Sequence, residues 1–204
     1  MAEAPRRGGR VSFADLHTPG GYLVGEVTSA MQKDIRRGNE REALFWATEL
    51  AMTGYTNYVW KRLRIIASED VGVGDNSAAI LTRCLYENWQ EQKKADSGEE
   101  LNANLFLIHA VQALCRAMKT RMADTAYMVM LGDRQLIPIP DYALDVHTKR
   151  GRAMGRGAEH FYAEGGKVSP EARLVDPYLA EAIVIDEHQE RKKRGGKSAP
   201  PLDE

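Results

Sequence analysis

Apolar residues recur every three or four positions along most of this chain and never alternate with polar ones over a useful length. Helices are therefore the only regular structure it can build. Val24, Val27, Met31 and Ile35 line one face of a first helix, which "RRGNE" at 36–40 stops, with Gly38 at the C′ position. A second helix over 41–52 carries Ala43, Leu44, Ala47, Leu50 and Ala51, and Gly54 closes it. A third starts near Asn57, with Val59, Leu63, Ile66 and Ala67 inward and Lys61, Arg62 and Arg64 outward. The cap-like "DNS" at 75–77 opens a fourth, to about Lys94, and "ADSGEE" at 95–100 is a loop. Residues 101–118 form a helix that is apolar around much of its circumference, at Leu105, Ile108, Val111, Leu114 and Cys115, and so should be central. A sixth covers 121–131 and ends at Gly132.

The chain then changes character. Pro138 and Pro140 keep "QLIPIPDY" at 135–142 extended. The basic, glycine-broken "HTKRGRAMGRGAEHFYAEGG" suits short helices and tight turns, and a last helix spans 177–190. The expected organisation is one all-α domain over 21–190, divided into a helical core (21–134) and a basic part (135–190). A flexible lead (1–20) and a disordered basic tail (191–204) flank it. A hydrophobic content of 43% supplies a packed core, and no apolar run reaches the length of a membrane span. "MAEAPRRGGR" has no apolar stretch behind it and does not read as a secretory signal. Cys84 and Cys115 lie far apart in helical patterns and read as small buried hydrophobes, which fits a reducing cytoplasm. At a net charge of −1, only local clusters argue for nucleic-acid binding.

Between the third and fourth helices stands "IIASEDVGVGD" (65–75), with Glu69, Asp70 and Asp75 close together. One reading is a carboxylate cluster that holds a divalent cation or acts as a base. The other is structural: Gly72 at C′, Gly74 in the turn, and Asp75 or Asn76 capping the next helix. Acids at a helix C-terminus oppose the macrodipole and need a basic partner, and Lys61, Arg62 and Arg64 lie on the same helix.

"MQKDIRRGNEREALFWATEL", "WKRLRIIASEDVGVGD" and "KTRMADTAYMVM" together resemble the C-terminal region of the MgsA/RarA/WRNIP family of AAA+ ATPases, over about 22–165. Ile35–Gly38, Ala43–Trp46 and Lys61–Gly72 carry the resemblance. It implies an all-α, collar-like oligomerisation domain similar to that of clamp loaders, a homotetramer, and work in DNA replication, repair or recombination. It also places the acid-bearing turn, Glu69, Asp70, Gly72 and Asp75, in the structural frame. No G-x-x-x-x-G-K-[ST] occurs, and Gly8, Gly9, Gly20 and Gly21 are followed by no Lys-Ser/Thr. The expectation is a non-enzymatic module without resident metal or cofactor. Its partners would be a second copy, DNA, or an AAA+ ATPase or replication-fork protein whose oligomer it joins.

Lys149, Arg150, Arg152 and Arg156, interleaved with glycines, form the densest basic segment, and Lys119 and Arg121 are further candidates for contact with phosphate. Phe161 and Tyr162 offer weak support for base stacking. The plain alternative is a solvated face balanced by Asp145, Glu159 and Glu164. His147 and His160 with Asp141 and Asp145 match no metal-ligand spacing. Trp46, Trp60 and Trp89 recur on successive helices as core or interface anchors. The alternative function is a small metal- or phosphate-dependent enzyme built on Glu69, Asp70 and Asp75.

Overall fold

The computed structural model describes residues 15–96, 102–132 and 135–195. These fall into two compact units that divide between residues 134 and 135, where the sequence changes character. In the first unit, α1 (Val24–Arg37), α2 (Glu40–Ala51), α3 (Thr56–Ile66), α4 (Ala78–Ala95), α5 (Asn104–Arg116) and α6 (Met122–Gly132) follow one another. The second holds α7 (Lys149–Ala153), α8 (Ala158–His160) and α9 (Leu179–Gly195), with short 3-10 and π turns. Among the described residues there is no strand, only an isolated bridge between His17 and Leu23.

The core of the first unit follows the helical periods. Val24, Val27, Met31 and Ile35 of α1 are buried against Ala43, Ala47 and Leu50 of α2, and Val59, Leu63 and Ile66 of α3 join them. Gly38 ends α1 at φ +76°, and its N–H bonds back to the Ile35 carbonyl. The fifth helix is central, packing against α1, α2, α3 and α4. Its buried stripe is Leu107, Ala110, Val111, Leu114 and Cys115, while Leu105, on another side of its apolar circumference, is exposed. At the N-terminus of α2, Glu40 accepts from Arg116 and Gln112 of α5, and these bonds hold its carboxyl below the usual glutamate value. Trp60 and Trp89 are core residues with ring centroids 6.1 Å apart. Trp46 is half-buried instead: it stacks edge-on against Tyr22 and Phe45, and its indole N–H donates to Asp34.

Cys115 is buried as expected, but Cys84 is exposed, because the buried face of α4 runs through Ala78, Thr82, Leu85 and Trp89. Of the expected flexible lead, residues 1–14 lie outside the described residues. Within 15–20, the Gly20 N–H donates to Glu49 and Thr18 is buried. Residues 191–195 of the expected tail complete α9, and the rest lie outside. Among the described residues, no helix is long and apolar enough to cross a membrane.

Candidate functional site

The third helix does not end in an ordinary α turn. It widens into a π turn over Ala67–Val71 and then a 3-10 turn over Gly72–Gly74. The widened turn carries Asp70 inward until it is 0% exposed. A carboxylate that far from water must be neutralised and hydrogen-bonded. It accepts from Arg36 Nε, takes a 3.0 Å bond from Gln32 Nε2, and has Arg121 Nε at 3.8 Å. Arg36 also reaches Glu69 at 3.3 Å, while Arg62 donates to the side-chain amide oxygen Oε1 of Gln32.

The compensating charge therefore comes from α1 and from the segment before α6, not from the basic residues of α3. Arg64 lies over the Tyr86 ring instead, at 4.8 Å, and Arg62 turns inward rather than outward. Asp75 stands apart from the network. Its carboxylate accepts from the N–H and hydroxyl of Ser77, which hold it below the ordinary aspartate value. The three acids do not share a ligand position. Among the described residues, no group of three or more His, Cys, Asp and Glu is arranged to hold a metal ion.

The two glycines of this turn answer to different constraints, one conformational and one steric. Gly72 has φ +50°, and Gly74 runs so close to the chain after α5 that a Cβ there would lie 2.8 Å from the Met118 carbonyl oxygen. Lys119 donates to the carbonyls of Cys115 and Ala117, and so closes the C-terminal end of α5. Arg121 pairs with Asp124 in the first turn of α6 and caps that helix with its carbonyl. Both candidate cations of this segment are thus engaged internally.

What the turn supports is α6, which packs within the first unit against the π turn and the Gly72–Gly74 turn. Its sequence, "MADTAYMVMLG", is apolar on every side, yet among the described residues none of it is buried. Tyr127, Met128, Val129, Met130 and Leu131 are each between 62% and 67% exposed. Beside it, α3 and α6 enclose a groove of about 730 Å³, with Ile65, Ala123 and Tyr127 as its apolar lining and Lys61 and Arg64 at its edge.

In the second unit the basic segment divides in two. Arg156 donates to the Asp141 and Leu144 carbonyls and grips the Asp141 carboxylate with both oxygens at 2.7 Å. Arg152 donates to the carbonyls of Val146 and His147. These two arginines fold the loop around Gly151, where a Cβ would lie 1.9 Å from the Asp145 carbonyl oxygen. Lys149 and Arg150 are exposed, and among the described residues no acid pairs with them. The His147 N–H donates to Asp145, and its ring stands edge-on to Phe161 at 5.1 Å. Tyr162 donates to Asp186, which raises its phenol above the usual value.

Fold and site together define a helical module in which a buried ion network supports an apolar, uncovered helix. A family model described as "MgsA AAA+ ATPase C terminal" matches residues 39–197, and the chain belongs to that family. The match begins after α1, later than the 22–165 of the sequence resemblance and beyond its Ile35–Gly38 segment, and runs further at the C-terminal end, through α9. The chain is 31% identical to replication-associated recombination protein A of Escherichia coli over 68% of its own length, and 30% identical to that of Bacillus subtilis over 72%. It is 25% identical to the ATPase WRNIP1 of Dictyostelium discoideum over 87%. It spans 30%, 34% and 20% of those relatives, respectively.

Proposed function

We propose that this chain is an assembly module that self-associates through α6 and works in the setting of DNA replication and recombination. The carrying observation is the exposure of α6. Eleven residues make a helix about 16 Å long, shorter than one that holds itself in water. A helix that is apolar all round belongs in an interior. A second copy is the occupant that supplies matching apolar surface, and the groove beside Tyr127 gives it a place to pack. The family resemblance supports the same occupant, with a tetramer as the implied state and an AAA+ ATPase oligomer as the wider assembly. The setting is supported by the names of the relatives, two of which are called replication-associated recombination proteins.

Native mass by light scattering tests the reading. The wild-type chain is expected to exceed one protomer at about 10 µM, the affinity range of a modest interface. Met128→Glu, on a side chain 62% exposed, should return it to a monomer with unchanged helicity. A wild-type chain that is monomeric at about 100 µM refutes self-association. Direct DNA contact is a second reading, supported by the exposure of Lys149 and Arg150.

A further inference from the structure

The residues of the "SEDVGVG" turn assign it a role in that association. We infer that Asp70, acting through Arg121, is the positioning residue for α6: it fixes the direction in which the apolar helix leaves the core. The inference rests on the reading of α6 as the association surface.

The geometry supports it from three sides. Arg121 precedes the first residue of α6, and the Thr125 N–H bonds to its carbonyl, so a displaced Arg121 displaces the whole first turn. Its guanidinium bonds to Asp124 of α6 and stands 3.8 Å from the buried Asp70, an ion pair without a direct hydrogen bond that links the helix to the core. Asp70 cannot yield, because Arg36 and Gln32 of α1 hold it from the other side. Gly72, at φ +50°, lets the chain turn beneath Ala123 and the Thr120 carbonyl in a conformation that other residues rarely adopt. Few other contacts hold α6, because its own side chains face outward. Such a helix has its orientation set by its first turn and its support. Sub-ångström shifts there grow along its length.

Arg121→Ala is the informative variant, because its side chain is 48% exposed and its loss leaves Asp70 with Arg36 and Gln32. The expected result is a melting temperature within about 2 °C of wild type, as for other exposed ion pairs. Association, measured by sedimentation, should weaken by about tenfold or more, as for loss of preorganisation at an interface. Arg121→Lys, which keeps one charge but loses the planar fork, should recover part of it. Hydrogen exchange of the α6 amides should speed up in Arg121→Ala under conditions where both proteins are monomeric. Unchanged association together with unchanged α6 exchange overturns the inference. If the wild type is monomeric throughout, the association reading fails, and the exchange measurement alone decides whether Asp70 and Arg121 hold α6.

Discussion

Replacing Asp70 by alanine removes a fully buried carboxylate, the one such group among the described residues, and its surroundings set the cost. Asp70 is 0% exposed and accepts from Arg36 and Gln32, with Arg121 3.8 Å away. Breaking a buried pair by deleting one partner costs about 3–5 kcal/mol, because the remaining charge is left desolvated. Here Arg36 is 28% exposed and keeps Glu69 at 3.3 Å, so part of its charge stays satisfied and the lower end applies, about 3 kcal/mol. Asp70→Asn retains one acceptor but loses the charge on it, and should cost less, about 2 kcal/mol. In a chain of this size these losses lower the melting temperature by about 6–12 °C and 4–8 °C. Urea unfolding followed by tryptophan fluorescence reads them directly, since Trp60 and Trp89 are buried in the same core. The protein concentration must be held fixed, because association adds apparent stability. A loss below about 1 kcal/mol for Asp70→Ala would refute the structural account of this network.

Two further outcomes are expected. Burial pushes the Cys115 thiol up to about 11, so at pH 8 only about one molecule in a thousand carries the reactive thiolate, whereas Cys84 is exposed. A thiol reagent at pH 8 should therefore modify one equivalent quickly and the second only on unfolding; two fast equivalents would contradict the burial. If the second unit contacts DNA, replacing Lys149 and Arg150 by alanine should reduce the slope of log affinity against log salt by about 2, with the change lying mostly in non-specific binding. An unchanged slope removes both residues from the contact.

The helical architecture was legible because its signal is carried by short-range periods: Val24, Val27, Met31 and Ile35 have no other way to share a face. The stop at Gly38 was equally readable, since the left-handed residue that ends a helix is chosen locally. The partner of Asp70 was not. Arg36 lies 34 positions earlier, and nothing local distinguishes it from Arg37, which faces solvent one step further round α1. The nearest basic residues in sequence, on α3, do not pair with it: Arg64 lies over Tyr86, and Arg62 reaches it only through Gln32. The basic segment was misleading in a similar way. Its charge was visible, but whether an arginine reaches for phosphate or for its own backbone carbonyls depends on a loop that Arg152 and Arg156 themselves fold.

The apolar helix shows why such a site is hard to see and yet readable in hindsight. "MADTAYMVMLG" offers apolar residues at every rotation, which by the ordinary rule means burial on all sides. One side of α6 has the Glu69–Gly74 turn beneath it, and the described chain covers none of its side chains to the level of burial. The contradiction between what the residues require and what surrounds them is informative. A sequence can keep five large apolar side chains in water only at a cost in solubility, unless a partner covers them. The same chain devotes a buried aspartate, an inward arginine, a left-handed glycine and a close-packed one to the turn on which that helix stands. Glycine and buried charge both cost stability, and a helix end could be closed more cheaply. Their placement under α6, rather than elsewhere around the core, ties the expensive turn and the uncovered helix into a single device: a rigid seat that presents an apolar surface in one fixed direction.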